Sequence, residues 1–203
     1  MSIERSRLRR EMRERRRAIP AIERIAAADS LARHLLDLPF MPSSGHVAGY
    51  WAMDGEIALH AWQLRLPSSL SYCLPVLGDD EHLRFARWRP GDPLVSNRFG
   101  IPEPDVAPSS LLEPEQMALV VVPLVGFDRR GQRLGMGGGW YDRSFAFRHL
   151  RNPPPWLVGV GFATQQVDVL PAEPWDVAMD AVCSEQALLP TLPDNRDQEL
   201  PSA

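Results

Sequence analysis

Apolar positions near the start of the chain return at helical intervals, with Leu8, Met12 and Ile19 near one face of a run from Ile3 to Ala18. Pro20 interrupts, and Ala21 to Leu38 predicts a second helix. His46 to Ala52 reads as a buried strand, followed by a turn at Met53-Asp54-Gly55 and a helix over Glu56 to Leu66. Leu70 to Leu77 and His82 to Trp88 are expected strands about the turn Gly78-Asp79-Asp80. Pro90 to Pro114 is proline-rich and expected to be irregular; long irregular connections are often functional. Met117 to Pro123 is apolar without alternation, as a central strand covered on both faces should be. A glycine-rich loop follows, then a helix over Tyr141 to Leu150, a strand over Trp156 to Phe162 and a short strand around Val177 to Ser184. This alternation predicts an α/β fold: a single three-layer domain over residues 1–190 with a central, mostly parallel sheet and its site at the carboxyl ends of the strands. Residues 191–203, with Pro193 and Pro201, are expected to form a flexible tail.

Composition narrows the chemistry. A chain of 203 residues that is 44% hydrophobic suits one well-packed domain. The longest apolar stretch, Met117 to Phe127, is broken by Pro123 and too short for a bilayer, and the arginine-rich N-terminus lacks a signal peptide's apolar core. A cytoplasmic protein with no membrane partner is expected. All 22 basic side chains are arginine, so a Schiff-base lysine, a pyridoxal phosphate anchor and a P-loop lysine are excluded. The five histidines show neither H-x-H nor H-E-x-x-H spacing, which argues against a histidine zinc site. Cys73 and Cys183 form no C-x-x-C pair and read as buried free thiols. The first twenty residues hold eight arginines and three glutamates, a charge of +5; against a total of −4, the rest carries −9. No aromatic residues interleave with those arginines for base stacking, so the run reads as a solvated helix face and no nucleic-acid partner is expected.

The stretch from Gly131 to Asp142 lies between the central strand and an expected helix. Gly135, Gly137, Gly138 and Gly139 can adopt backbone angles closed to other residues, so successive amides can turn inward around an anion. A phosphate chain is the natural guest. A carboxylate at the helix start, Asp142, is best explained beside phosphates by a shared cation, which implies magnesium nucleotide. The competing reading is a tight connection with no ligand. The spacing G-x-G-G-G matches neither the dinucleotide fingerprint nor the P-loop.

From Phe127 to Arg143 the chain closely resembles the signature of the 5-formyltetrahydrofolate cyclo-ligase family, also called methenyltetrahydrofolate synthetases. The likeness runs from Arg5 to about Glu185 in the family's order: Arg5-Ser6-Arg7-Leu8-Arg9, then Tyr50 to Ile57, Phe99 to Pro104, the glycine loop, Gly159 to Phe162 and Glu173 to Val177. Arg5 stands where the family usually has lysine, and Met136 and Gly138 where relatives have tyrosine or arginine, and often lysine. The resemblance implies a fold similar to ribose-5-phosphate isomerases and CoA transferases. It implies conversion of 5-formyltetrahydrofolate to 5,10-methenyltetrahydrofolate with ATP split to ADP and phosphate, magnesium as cofactor, and only small-molecule partners for a monomer.

By the same resemblance, Arg5, Arg9 and the loop residues Arg133, Leu134, Gly135, Met136, Gly137, Gly138, Gly139, Trp140 and Tyr141 contact ATP. Trp51, Glu56 and Met136 to Trp140 border the folate, Arg133 and Glu56 serve catalysis, and Asp142 and Asp176 hold magnesium. Read from the residues alone, Glu56 could instead start a helix, Trp51 could be core and Asp176 could cap a turn. Two further functions stay open at this point: a cyclo-ligase-like protein that binds folate or RNA without catalysis, and an ATP-dependent ligase for a related heterocycle.

Overall fold

The computed structural model describes residues 3–191 and begins with α1 (Ile3–Arg17) and α2 (Ala21–Leu36), parted at Pro20 as the sequence predicts. Arg24 bridges the break: it donates to the carbonyls of Arg16 and Arg17 at the end of α1 and of Ile19 in the connection. The sheet follows with β1 (Gly45–Ala48), then α3 (His60–Gln63), β2 (Leu70–Leu77) and β3 (Leu83–Arg87). A small hairpin, β4 (Leu94–Ser96) and β5 (Pro102–Pro104), precedes the central strand β6 (Met117–Pro123). Next come the two-strand ribbon β7 (Gly126–Phe127) and β8 (Arg133–Leu134), the short helix α4 (Trp140–Ser144), β9 (Trp156–Val160), β10 (Ala181–Cys183) and β11 (Leu188–Pro190).

The seven-stranded sheet has the order β11-β10-β9-β6-β1-β2-β3. From β10 to β2 the neighbours are parallel, and an antiparallel strand closes each edge. Side chains of β6 alternate between two cores, which explains its unbroken apolar run. Leu119 and Val121 join Val47, Val158 and Val160 beneath α2 and Trp62 of α3, while Val120 and Val122 join Ala48, Leu157 and Val182 beneath Phe127, Phe145 and Met179. Both cysteines are free and buried, and burial pushes each thiol up to about 12. Among the described residues no helix is long and apolar enough to cross a membrane.

Five sequence expectations need correction, the first being the strand over His46 to Ala52, which ends at Ala48. The helix over Glu56 to Leu66 shrinks to His60–Gln63, because Asp54 and Gly55 both take positive φ, 49° and 80°, and turn the chain away from helix. The helix over Tyr141 to Leu150 ends at Ser144, where the hydroxyl donates to Trp140 O and accepts the amide of Leu83; a 3-10 turn, Ala146–His149, continues from there. Leaving the α-helix lets Phe145 and Phe147 pack together, with ring centroids 6.0 Å apart. The strand around Val177 to Ser184 is reduced to β10. The Pro90 to Pro114 stretch contains the β4/β5 hairpin, whose tip is tied by Asn97 Oδ1 accepting the amides of Phe99 and Ile101. All but the first residue of the expected 191–203 tail lies outside the described residues.

Candidate active site

The strand order reverses between β1 and β6: one part of the sheet grows from β1 through β2 to β3, the other from β6 through β9 to β11. In open α/β sheets, loops leaving the carboxyl ends on either side of such a reversal form the ligand crevice. Here the loop after β1 carries Trp51, Asp54 and Glu56, and the segment after β6 carries the β7/β8 ribbon and the glycine loop.

Helix α1 bridges the two sides. Met12 packs with Val125, Leu134 and Leu170, which seats the helix on the β7/β8 ribbon and presents its arginines to the site. Arg5 grips Asp176 through two contacts, 2.6 and 3.3 Å, and Asp176 also accepts the amide of Glu173 at 2.9 Å. Arg9 Nε donates to Gly135 O at 2.8 Å, while its Nη1 is buried without a hydrogen-bond partner. Burial, then the neighbouring Arg5 and Arg13, lowers the pKa of Arg9. Arg13 reaches the thioether of Met136 at 3.2 Å, and Arg16 donates to Asp54 at 2.9 Å. The expectation of a solvated arginine face is therefore only half met: Arg5, Arg9 and Arg16 are buried, and the exposed side carries Arg7 and Arg10. A cleft of about 320 Å³ between α1 and the glycine loop is lined chiefly by Arg9, Arg10, Arg13, Arg17 and Met136.

In the glycine loop, Gly137 and Gly139 take φ of 102° and 69°, angles that L side chains avoid. Gly139 caps α4 directly, and a Cβ at Gly138 would come within 2.9 Å of the Trp140 ring. The guanidinium groups of Arg98 and Arg143 both lie over the Trp140 ring, 5.2 and 5.4 Å from its centre, with Phe99 against it edge-on. The Leu134 side chain is core, packed with Met12. Arg133 donates to Asp142 Oδ1 at 2.6 Å and sits over the Tyr141 ring, while its Nε is buried without a partner.

Both predicted metal ligands are paired with arginine: Asp142 with Arg133, Asp176 with Arg5. They are also brought close, because Asp142 Oδ1 accepts the amide of Val177, the residue after Asp176. Among the described residues no group of three or more histidine, cysteine, aspartate or glutamate side chains is arranged to hold a metal. The donor set still fits magnesium held jointly with phosphate, which needs only one or two carboxylates from the protein. Both contacts to Asp142 fall on Oδ1, and among the described residues Oδ2 accepts no hydrogen bond.

On the other side, Glu56 Oε2 accepts the amide of Met53 at 3.0 Å, and its Oε1 lies 3.7 Å from Arg16 Nη1. The helix-start reading of Glu56 falls, since no helix begins there. Burial raises the Glu56 pKa, against the opposing pull of the Met53 hydrogen bond and of Arg16. The phenols of Tyr50 and Tyr141 are both pushed up by burial and then by the Glu56 charge, so the acid from one loop and Tyr141 from the other share one site. Trp51 is half-buried and meets Trp88 edge-on at 5.7 Å, leaving ring surface for a ligand.

Sequence reasoning missed Arg13, Arg16 and Asp54, and the reach of Arg98 and Phe99 to Trp140. For the arginines a signal was present: Arg5, Arg9 and Arg13 recur at four-residue intervals and so share a helix face. For Arg98 and Phe99 the signal was coarser: they lie in the irregular Pro90 to Pro114 stretch, but nothing in the sequence pointed to Trp140.

A mostly parallel α/β sheet whose order reverses between β1 and β6, with a glycine-rich and an acidic loop at the reversal and an arginine helix across both, has the architecture of an α/β ligand-binding domain. The chain belongs to the 5-formyltetrahydrofolate cyclo-ligase family, whose model matches residues 1–185. It is 35% identical over 178 residues to the 5-formyltetrahydrofolate cyclo-ligase of Haemophilus influenzae, covering 86% of this chain and 94% of that protein. The Escherichia coli enzyme of the same name is 34% identical over 176 residues, covering 84% and 94%. The NMR structure of 5,10-methenyltetrahydrofolate synthetase from Aquifex aeolicus superposes with a TM-score of 0.77 at 27% identity, over 96% of this chain and 98% of that one. These likenesses lend no support to a non-catalytic folate- or RNA-binding protein, nor to a ligase for another heterocycle.

Proposed function

We propose that this protein closes 5-formyltetrahydrofolate to 5,10-methenyltetrahydrofolate at the expense of ATP, releasing ADP and phosphate. The observation that carries the reading, beside family membership, is that Arg9 and Arg133, which bond to Gly135 O and Asp142 at the two ends of the glycine loop, each bury one guanidinium nitrogen without a hydrogen-bond partner, and that the neighbouring loop bears a buried glutamate. Orphaned buried donors are costly, and a phosphate chain would satisfy them.

A formyl group on nitrogen is an amide, whose oxygen leaves too poorly as hydroxide for ring closure. Transfer of the γ-phosphoryl group solves this: its bond to the ADP oxygen breaks as a bond to the formyl oxygen forms. The second folate nitrogen then attacks the formyl carbon and loses its proton, and the carbon–oxygen bond breaks as phosphate departs with the electron pair. The transferring group is loosely bound in the transition state, so alignment and counter-charge are the main requirements. Arg9, Arg133 and the loop amides meet them, and Arg5 acts by holding Asp176. Asp142, through its free oxygen, and Asp176 would hold magnesium, which when bound neutralises the phosphate oxygens. Glu56 accepts N–H donors of the pterin or orients the reacting nitrogen, and Trp51 offers a face for stacking. No enzyme nucleophile is needed, in keeping with a chain without lysine and with two buried thiols. The setting that goes with this chemistry is the cytoplasm, with small molecules as the only partners.

Purified protein mixed with 5-formyltetrahydrofolate and Mg-ATP should develop the absorbance of methenyltetrahydrofolate, and none without ATP. A flat trace with all components present overturns the reading.

A further inference from the structure

The chemistry above gives no task to Arg16, whose side chain is 0% exposed. A buried guanidinium is tolerated when its charge and donors are taken up. Nη2 donates to Asp54 Oδ2 at 2.9 Å, but Nε and Nη1 find no hydrogen-bond partner. Asp54 has partners besides Arg16: Arg17 binds its other oxygen at 2.6 Å and Arg13 lies 3.9 Å away. Glu56 is supplied differently: Met53 holds Oε2, and the charge nearest Oε1 is Arg16 Nη1 at 3.7 Å.

We infer that Arg16 is a positioning residue for the folate side of the site, its buried guanidinium keeping the Glu56 carboxylate ionised and clamped against the Met53 amide so that it can accept from the substrate. This rests on the proposed role of Glu56. The groups facing Glu56 are Arg16 and Arg13 from α1, Asp54 from its own turn, Tyr50 from the segment after β1 and Tyr141 from α4. Of these only the two arginines favour the charged carboxylate. Burial works against it, so loss of Arg16 leaves the weaker, more distant Arg13 and one backbone hydrogen bond to hold the proton off. An opposite charge at this range lowers a carboxyl pKa by about 1 to 3 units.

The test titrates the Glu56 carboxyl carbon by NMR in glutamate-labelled protein, with Glu56→Gln assigning the signal. Arg16→Met keeps the stem and removes the charge; its Glu56 midpoint should rise by about 1 unit or more. Arg16→Lys keeps a charge that cannot reach Asp54 and Glu56 together, and should give a smaller rise. The acid limb of kcat/KM for 5-formyltetrahydrofolate should move up in pH by the same amounts, with KM for ATP unchanged. If Arg16→Met fails to fold, Arg16→Lys decides by the same midpoint. An unmoved Glu56 midpoint in a folded variant overturns the inference and leaves the reaction standing. A moved midpoint in a protein whose wild type forms no methenyltetrahydrofolate supports the clamp and overturns the reaction.

Discussion

The loops after β1 and β6 rise side by side from the sheet and are held in opposite ways. The first is built from charge: Asp54 draws in Arg16 and Arg17, Glu56 folds back onto the Met53 amide, and the Tyr50 hydroxyl closes the bend on Ile57 O at 2.7 Å. The second is built from backbone freedom: Gly137 and Gly139 sit at positive φ, Met136 is exposed, and Arg9 gives Gly135 one hydrogen bond. Strong contacts on that side lie at the flanks, in the pairs Arg133–Asp142 and Arg5–Asp176. A loop fixed by ion pairs has its shape before ligand arrives; a glycine loop can close on its ligand at little steric cost. On this comparison the loop proposed for folate is preorganised and the loop proposed for nucleotide adapts.

The sharpest way to break the comparison is at the flank of the glycine loop. Asp142→Asn keeps an oxygen for the Val177 amide but removes the charge that faces Arg133 and would face magnesium. Turnover should fall by about 30- to 1000-fold, the loss of ~2 to 4 kcal/mol of charge stabilisation in the transition state. Steady-state rates across a magnesium titration check it; wild-type turnover at limiting magnesium would remove Asp142 from the metal.

A pair of substitutions then separates the sides. Glu56→Gln should impair folate use by about 10- to 150-fold, corresponding to ~1.5 to 3 kcal/mol for a hydrogen bond to a charged group, and leave nucleotide binding intact. Gly137→Ala places a side chain at a φ of 102° and should do the reverse. Its strain of ~1 to 2 kcal/mol should weaken a non-hydrolysable ATP analogue by about 5- to 30-fold. Calorimetry with each ligand reads both; Glu56→Gln losing nucleotide while Gly137→Ala keeps it would invert the assignment.

A smaller effect is expected at Arg5. Arg5→Ala unties Asp176, losing a pair of charge-assisted hydrogen bonds, and should raise KM for ATP by about tenfold with less effect on folate; Arg5→Lys should be tolerated. Equal losses for both substrates would indicate that the pair serves folding instead.

The smallest effect is on stability, and its sign differs between the two acids of the β1 loop. Burial raises the folded pKa of Glu56, so its ionised form costs stability; the cost is absent at low pH and appears as pH rises from the ordinary glutamate range through the raised value. Glu56→Gln should therefore gain in Tm relative to wild type as pH rises above the ordinary glutamate range. For Asp54 burial works to raise the pKa, but Arg17 and Arg16 together hold it below its ordinary value. Its stabilisation is present above the ordinary aspartate range and lost as pH falls through the lowered value, so the deficit of Asp54→Asn should shrink in acid. Parallel melting curves in which both variants shift the same way would contradict the contrast.

Much of this was legible before folding. The apolar run of β6 and the break at Pro20 follow from local chemistry, and the structure has both. Helix lengths after Gly55 and Tyr141 were misjudged because local propensity yields to tertiary demands: positive φ at Asp54 in one case, the packing of Phe145 and Phe147 and the bonds of Ser144 in the other.

The sequence by itself determined the kinds of group available: arginines as the only basic side chains, glycines for unusual backbone angles, and acids near them in the chain. Only the tertiary structure decided which of them meet. Asp176 and Arg5 are 171 positions apart, yet they pair at 2.6 Å because α1 docks through Met12 on the β7/β8 ribbon. Arg16 lies in a run that looks like any solvated helix face, and it is buried because the β1 loop closes over it. A charge's strength depends on the water it has lost and on the partner it faces, and both are set by the fold.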